Sequence, residues 1–435
     1  MNLLLLIGLL FGSLVVFMLL GIPVALAMGG LSIVLGYIFW GGEASLIGFV
    51  MSSFEKVSDF TFAAVPLYVL MAAILQYSKL ADGMFDTFYK WFGGLKGGLG
   101  VASSFIGAIF AAMVGTSSVA TATLGVTARP SMVNKGYDEK FTAGVIMAAS
   151  NLGIIIPPSI IFIIYAMTAG VSPGVMFMAG IIPGFLILLL LIVYSVVYSM
   201  LNPGKAPSIP KEERFTWSEK FKSLKEVILP ILLILAVILS IFLGIATPTE
   251  AAGVGVLGAF ICAAINRSLT FESIKKMLSM TVRLSAMMFW LVIGASAYAK
   301  IITITNIGKS LSQFVAELNF APLLIIVCII ILYYILGMFL DAAAVMFITV
   351  PVFLPLLLEL NIDLIWFGII FTLTACVGNL TPPFGMSLFV YKGVVPEVPM
   401  KSLWSSAIPF IGVYTVGIII ILLFPQIVLW LPSRL

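Results

Sequence analysis

The chain has 435 residues, of which 62% are hydrophobic and 9% charged, with a formal net charge of +4 and a mean hydropathy of +1.23. Soluble domains carry about 25% charged residues, so charges this sparse exclude a water-exposed globular surface and point to a bilayer, where about 20 mostly apolar residues make one helical crossing. Histidine is absent and Cys262, Cys328 and Cys376 are dispersed in apolar runs, which argues against a disulfide framework, zinc or triad chemistry and a neutral-pH proton switch.

The apolar runs are continuous rather than alternating, so the expectation is an all-α polytopic membrane protein and not a barrel. Met1 to Phe39 is apolar throughout and lacks a basic n-region. It therefore reads as two spanning helices, near 2–20 and 22–40, rather than as a cleaved signal peptide. Three further spans fall near 60–78, 140–170 and 177–200, and a second set of five near 227–243, 249–266, 284–304, 364–391 and 403–424. Between the third and fourth span of each set lies a Gly- or Pro-punctuated apolar stretch, 98–129 and 320–351, too long for one crossing. Both are expected to be re-entrant hairpins.

Loops on the cytoplasmic side carry the excess of Lys and Arg. With the linker 201–226 inside, 18 of the 22 basic residues fall on that side, leaving Lys56, Lys300, Lys309 and Arg434 elsewhere. The inner loops then sum to +8 and the remainder to −4. Both termini are expected outside, and Arg267, Lys275, Lys276 and Arg283 form a second basic inner loop. The linker mixes prolines with the charged run from Lys211 to Lys222 and places Phe215, Trp217, Phe221 and Leu224 near one helical face. An amphipathic arm along the inner interface fits this pattern, as it does Lys79 to Lys96, and a solvated loop is the alternative for the linker's first half.

The two halves resemble each other at an offset of about 221 to 226 residues, the scale of the internal symmetry in transporter folds. Gly21-Ile-Pro-Val-Ala-Leu-Ala-Met-Gly-Gly pairs with Gly244-Ile-Ala-Thr-Pro-Thr-Glu-Ala-Ala-Gly, and Leu152-Gly-Ile-Ile-Ile-Pro-Pro with Val377-Gly-Asn-Leu-Thr-Pro-Pro. Ile182-Pro183 pairs with Ile408-Pro409. Five spans per half is odd, so the second repeat enters the membrane inverted. The expected organisation is a first repeat 1–200, a linker arm 201–226 and a second repeat 227–435.

Chemistry concentrates at three places. Gly115 to Gly125 packs five hydroxyls and two glycines into an apolar segment. Irregular backbone at membrane depth is tolerated where it is buried in protein or lines a wet cavity, so a turn at Gly115 to Ser118 offers oxygens to a sodium ion and N–H donors to an anion. The alternative is that these small residues serve close helix packing. Asp341 is the one carboxylate within either hairpin. An ionised Asp at the bilayer centre costs at least about 2.5–3.5 kcal/mol, so a cation site is the first reading and a snorkelling side chain the second. Finally, Asn151-Leu-Gly-Ile-Ile-Ile-Pro-Pro-Ser and Gly378-Asn-Leu-Thr-Pro-Pro-Phe-Gly should break their helices and free carbonyls. Arg129 and Lys300 sit near helix ends, where such residues snorkel to the interface.

At Gly115-Thr-Ser-Ser, Arg129-Pro130, Gly136-Tyr137, Leu152-Gly-Ile-Ile-Ile-Pro-Pro-Ser and Ala179-Gly-Ile-Ile-Pro-Gly, the sequence resembles the large membrane subunit of the TRAP (tripartite ATP-independent periplasmic) transporters. Leu340-Asp-Ala-Ala-Ala, Thr349-Val-Pro-Val-Phe-Leu-Pro and Thr381-Pro-Pro-Phe-Gly carry the resemblance through the second half. The resemblance implies an elevator-type carrier in the bacterial inner membrane, coupled to Na⁺, that imports an organic acid of the sialic acid or C4-dicarboxylate class. It also implies two partners, a small membrane subunit of about four helices and a periplasmic binding protein. Mapped onto this chain, one sodium site uses Ser117 or Ser118 with Asn151 and Gly153, and a second uses Asp341 with Gly378 and Thr381. Substrate is expected between the hairpin tips, near Ser117, Ser159 and Thr381. No P-loop, cofactor motif, nucleic-acid motif or catalytic constellation accompanies these residues, so the expectation is a carrier and not an enzyme. A stand-alone sodium/carboxylate symporter is the nearest alternative.

Overall fold

The computed structural model describes residues 6, 8–39, 41–78, 80–210, 214–317 and 320–434. The start of the first expected span and Lys211 to Glu213 of the linker's charged run lie outside the described residues. Those described are mostly helical, with no strand among them. Seven of the helices are long and apolar enough to cross a membrane.

The first described element is a π-helical turn, Gly8–Gly12, leading into α1 (Ser13–Leu19), and then α2 (Val24–Phe39). Next comes α3 (Glu43–Ser58), a helix the expected spans omit and which carries Glu43, Glu55 and Lys56. A 3₁₀ turn over Phe60–Ala63 leads into α4 (Ala64–Tyr77), and α5 (Leu80–Phe92) is the first of the two expected amphipathic arms. The first hairpin is α6 (Gly98–Val114) and α7 (Ser117–Asn134), five residues longer than expected at its far end. The Pro-Pro segment then splits one span into α8 (Glu139–Asn151) and α9 (Ile160–Ala169), followed by the 29-residue α10 (Pro173–Leu201).

Of the linker, Trp217–Ser223 is helical (α11) and lies against α5. Trp91 Nε1 donates to Lys220 O at 3.0 Å, Thr87 Oγ1 donates to Ser223 O at 2.7 Å, and Trp91 meets Trp217 and Phe221 edge-on. The second half runs through α12 (Lys225–Phe242), α13 (Pro248–Ile265) and α14 (Phe271–Ile304). At 34 residues α14 absorbs most of the stretch expected as a basic inner loop. The Thr270–Ser273 capping box starts it, and Met277, Leu278 and Val282 continue the apolar pattern between Lys276 and Arg283. A short amphipathic helix α15 (Ile307–Glu317) precedes the second hairpin, α16 (Pro322–Gly337) and α17 (Ala342–Glu359). The second broken helix is α18 (Leu364–Leu380) and α19 (Met386–Val394), and α20 (Met400–Leu423) follows.

Two packing groups organise these helices. In one, α14 lies against α2, α3 and α4, and α4 against α13. In the other, α8 lies against α6, α7 and α20, while α18 lies against α16 and α20. The exposure pattern follows from the solvent. In α12 the buried residues Val227, Pro230, Leu233, Val237 and Ile241 recur every three or four positions, forming one stripe. Its other face shows Ile228, Leu232, Leu235 and Leu239 to the outside, an apolar face suited to lipid rather than water. By contrast α8 and α18 are buried almost all round, so they form the interior on which the hairpins rest.

Candidate functional site

The tip of the first hairpin is built by one backbone feature. Gly115 takes φ +67°, where an L side chain is strained, and its N–H closes α6 on Ala111 O at 2.7 Å. The chain then turns through extended Thr116 and starts α7 at Ser117 without a side-chain cap. Thr116 Oγ1 and Thr121 Oγ1 are buried hydroxyls with no hydrogen-bond partner among the described residues. Ser117 is buried and Ser118 half-buried.

Both Pro-Pro segments interrupt their helices, and the Pro157–Pro158 and Pro382–Pro383 bonds are cis. After Asn151 the chain makes a 3₁₀ turn, Leu152–Ile154, and Ser159 Oγ donates to the freed Ile154 carbonyl at 2.6 Å. Gly153 sits so close to the first hairpin that a Cβ there would lie 2.4 Å from Ala111 O. After Leu380 the Thr381 hydroxyl folds back on Val377 O at 2.7 Å.

The two breaks meet. Asn379 Nδ2 donates to Asn151 Oδ1 at 3.1 Å and to Ser117 Oγ at 3.3 Å. Asn151 Nδ2 donates to Met147 O at 3.0 Å and to Ser387 Oγ at 3.1 Å. The first hairpin tip, both interrupted helices and the start of α19 thus share one buried polar network. Sequence reasoning singled out Ser117 and Asn151 but not Asn379 or Ser387. The signal for Asn379 was its place beside Gly378 in the Pro-Pro motif; its partners lie 228 and 262 positions away in the chain.

Asp341 stands apart from that network. It is the N-cap of α17, and its Oδ1 accepts from Ala343 N at 2.8 Å and Ala344 N at 3.1 Å. Oδ2 makes no hydrogen bond among the described residues. Gly378 contacts the hairpin just before this tip, since a Cβ on Gly378 would lie 2.7 Å from Gly337 Cα. A small recess lined by Gly337, Leu340, Ala342, Thr374 and Ala375 separates the tip from α18. The polar groups at both tips are hydroxyls, amides, carbonyls and one carboxylate, a donor set that suits a hard monovalent cation.

Arg129 is ion-paired at its helix end. Its Nε and Nη2 donate to both Glu139 carboxylate oxygens, at 2.8 and 3.0 Å, and its Nη1 donates to Glu397 at 2.7 Å. Glu139, 10 positions along the chain, and Glu397, 268 positions away, together hold the guanidinium. The Glu397 carboxyl is held below the usual range by its own backbone N–H and then by the Arg129 charge. Lys300 is exposed, in keeping with its expected place near a helix end.

Three curated relatives align along most of the chain. A C4-dicarboxylate TRAP transporter large permease protein of Pseudomonas aeruginosa is 32% identical over 383 residues, 88% of each chain. The ectoine TRAP large permease of Halomonas elongata is 29% identical, covering 95% of this chain and 96% of that one. The sialic acid TRAP large permease of Vibrio cholerae is 30% identical over 378 residues, 87% of each. Among solved structures, the YdaH transporter of Alcanivorax borkumensis superposes with a TM-score of 0.60 at 15% identity, covering 92% of this chain and 95% of that one, a likeness of fold. Residues 11–427 match the family described as the tripartite ATP-independent periplasmic transporter, DctM component, and the chain belongs to that family of TRAP large membrane subunits.

Proposed function

We propose that the chain is the translocating subunit of a sodium-coupled importer of an organic acid, working by elevator alternating access between a fixed and a moving helix group. The observation that carries this reading is the meeting of the two interrupted helices at Asn151 and Asn379, 3.1 Å apart, beneath the first hairpin tip. Discontinuous helices in corresponding positions of two repeats are the strongest pointer to a transport site. The repeat assignment, 1–200 and 227–435 about the arm 201–226, is supported by a constant offset of 225 residues. It relates N-caps Asp138 and Asp363, tip residues Thr116 and Asp341, and prolines Pro157 and Pro382.

One sodium ion would bind at Ser117 or Ser118 with Asn151 and Gly153, and another at Asp341 with Gly378 and Thr381. Substrate would lie between the tips within reach of Ser117, Ser159 and Thr381. The named relatives carry C4-dicarboxylate, sialic acid and ectoine, all acids, so an organic acid is the substrate class proposed here. The partners are a small membrane subunit and a periplasmic binding protein. The location is the inner membrane with both termini periplasmic, as the distribution of basic residues supports.

The test is uptake of labelled succinate, isethionate and N-acetylneuraminate into proteoliposomes holding this chain and its small partner. The expected result is uptake that needs both an inward sodium gradient and the binding protein. Sodium-driven uptake without the binding protein would move the chain to the stand-alone symporter class. Flux indifferent to sodium would overturn the coupling.

A further inference from the structure

Two cavities open between the packing groups, and α14 walls both of them. The first, about 380 Å³, is bounded by α14 at Lys300, by α3 at Lys56 and by Phe347 and Pro351 of the second hairpin. The second, about 710 Å³, is bounded by Lys275 and Arg283 of α14, by Gln76 at the end of α4 and by Val119 of the first hairpin. Arg283 and Lys300 are 17 residues apart on one continuous helix, about 25 Å at 1.5 Å per residue, close to the thickness of the hydrocarbon core. The cavities are thus the two ends of one seam, each closed on its far side by a different hairpin.

Their charge is unusual for this chain. Both line with cations in a sequence that is only 9% charged. Lys276 is paired with Glu272 at 2.7 Å, whereas Lys275, Arg283, Lys56 and Lys300 form no ion pair among the described residues. Glu55 and Glu272 are the acids at the two mouths, so each keeps a net positive charge. Gln76 Oε1, at the second mouth, is buried without a hydrogen-bond partner.

We infer that these are two cationic mouths, Lys56 with Lys300 at one face and Lys275 with Arg283 at the other, which bind an anionic carboxylate in transit. The assignment rests on the organic-acid reading above. Low-dielectric walls focus the field of unpaired cations and raise the local concentration of an anion. The effect acts on KM and fades with salt, because the screening length falls from about 10 Å at 0.1 M to about 3 Å at 1 M. One continuous helix carrying charge at both ends would serve entry and release alike.

The test places a thiol in each mouth, Ser296→Cys or Ser279→Cys, in a background with the three native cysteines replaced. An anionic methanethiosulfonate should react several-fold faster than a cationic one at each position. Lys56→Gln with Lys300→Gln should abolish that preference at Ser296→Cys alone, and Lys275→Gln with Arg283→Gln at Ser279→Cys alone. Whichever acid the wild type takes up should slow labelling at both sites. In uptake, Lys56→Gln with Lys300→Gln should raise KM several-fold at low salt with little change in kcat. Equal reaction of the two reagents, unaltered by the Gln substitutions, overturns the inference even where wild-type uptake proceeds. Absence of wild-type uptake of any acid, with the charge preference intact, counts instead against the organic-acid reading. A preference present only when vesicles contain phosphatidylglycerol assigns the cations to lipid headgroups and overturns the carboxylate role.

Discussion

Asn379 reaches across from one interrupted helix to the other, its amide nitrogen 3.1 Å from Asn151 Oδ1 and 3.3 Å from Ser117 Oγ. Asn379 is 5% exposed and Asn151 fully buried, so water has little access to either. Removing one partner from a buried pair leaves the other unsatisfied, at about 1–3 kcal/mol.

Asn379→Ala should therefore lower thermal stability in detergent and reduce uptake at least tenfold. Ser387→Ala removes one of the two acceptors of Asn151 Nδ2 and leaves Met147 O in place, so it should cost less on both measures. Equal effects would mean that the network is not organised around Asn379.

How far the sequence disclosed this arrangement depends on the range of the interactions. The Pro-Pro breaks and the Gly115 turn are local, since a missing N–H or a positive φ acts within one turn, and both were legible from residue identity. Asn379 was passed over because its role is set by partners more than 200 positions away. Helix α14 was cut short for another reason. Lys275, Lys276 and Arg283 read as loop charges in the sequence, yet a capping box at Thr270 and interleaved apolar residues continue the helix beneath them. The same long-range limit hid Glu397, which reaches Arg129 from 268 positions away.

The Gly337–Gly378 approach leaves no room for a methyl group, with projected contacts of 2.7 and 2.9 Å to backbone. Gly378→Ala must push α16 away from α18, and overpacking of this kind costs about 1–3 kcal/mol. A lower melting temperature and weaker sodium-dependent uptake are expected. Gly393→Ala, at a glycine with open space around it, should leave both unchanged and so controls for the substitution itself.

Arg129 joins the first hairpin to Glu139 of α8 and to Glu397 beyond α19. Arg129→Lys keeps the charge but loses the two-pronged contact to Glu139, so it should destabilise more than Glu397→Gln, whose partner bond is exposed. The pH dependence has a definite sign. The folded-state pKa of Glu397 is depressed, so its contribution is present above the unfolded carboxylate range and is lost as pH falls through the lower folded value. A stability titration from pH 7 to 3 should show a smaller acid loss in Glu397→Gln than in the wild type. Identical titrations would mean that this contact contributes nothing in solution.

Asp341 caps α17, and two substitutions separate that role from the sodium site proposed above. Its Oδ1 caps α17 through Ala343 N and Ala344 N, while its negative charge and its unengaged Oδ2 are what a cation would use. Asparagine is as good an N-cap as aspartate, whereas alanine loses the cap at about 1 kcal/mol. Asp341→Asn should fold with near wild-type stability yet require at least tenfold more sodium for half-maximal uptake. Asp341→Ala should show the same sodium defect together with a lower melting temperature. If Asp341→Asn transports with an unchanged sodium dependence, the carboxylate is a helix cap alone and the sodium site proposed at Asp341 is overturned.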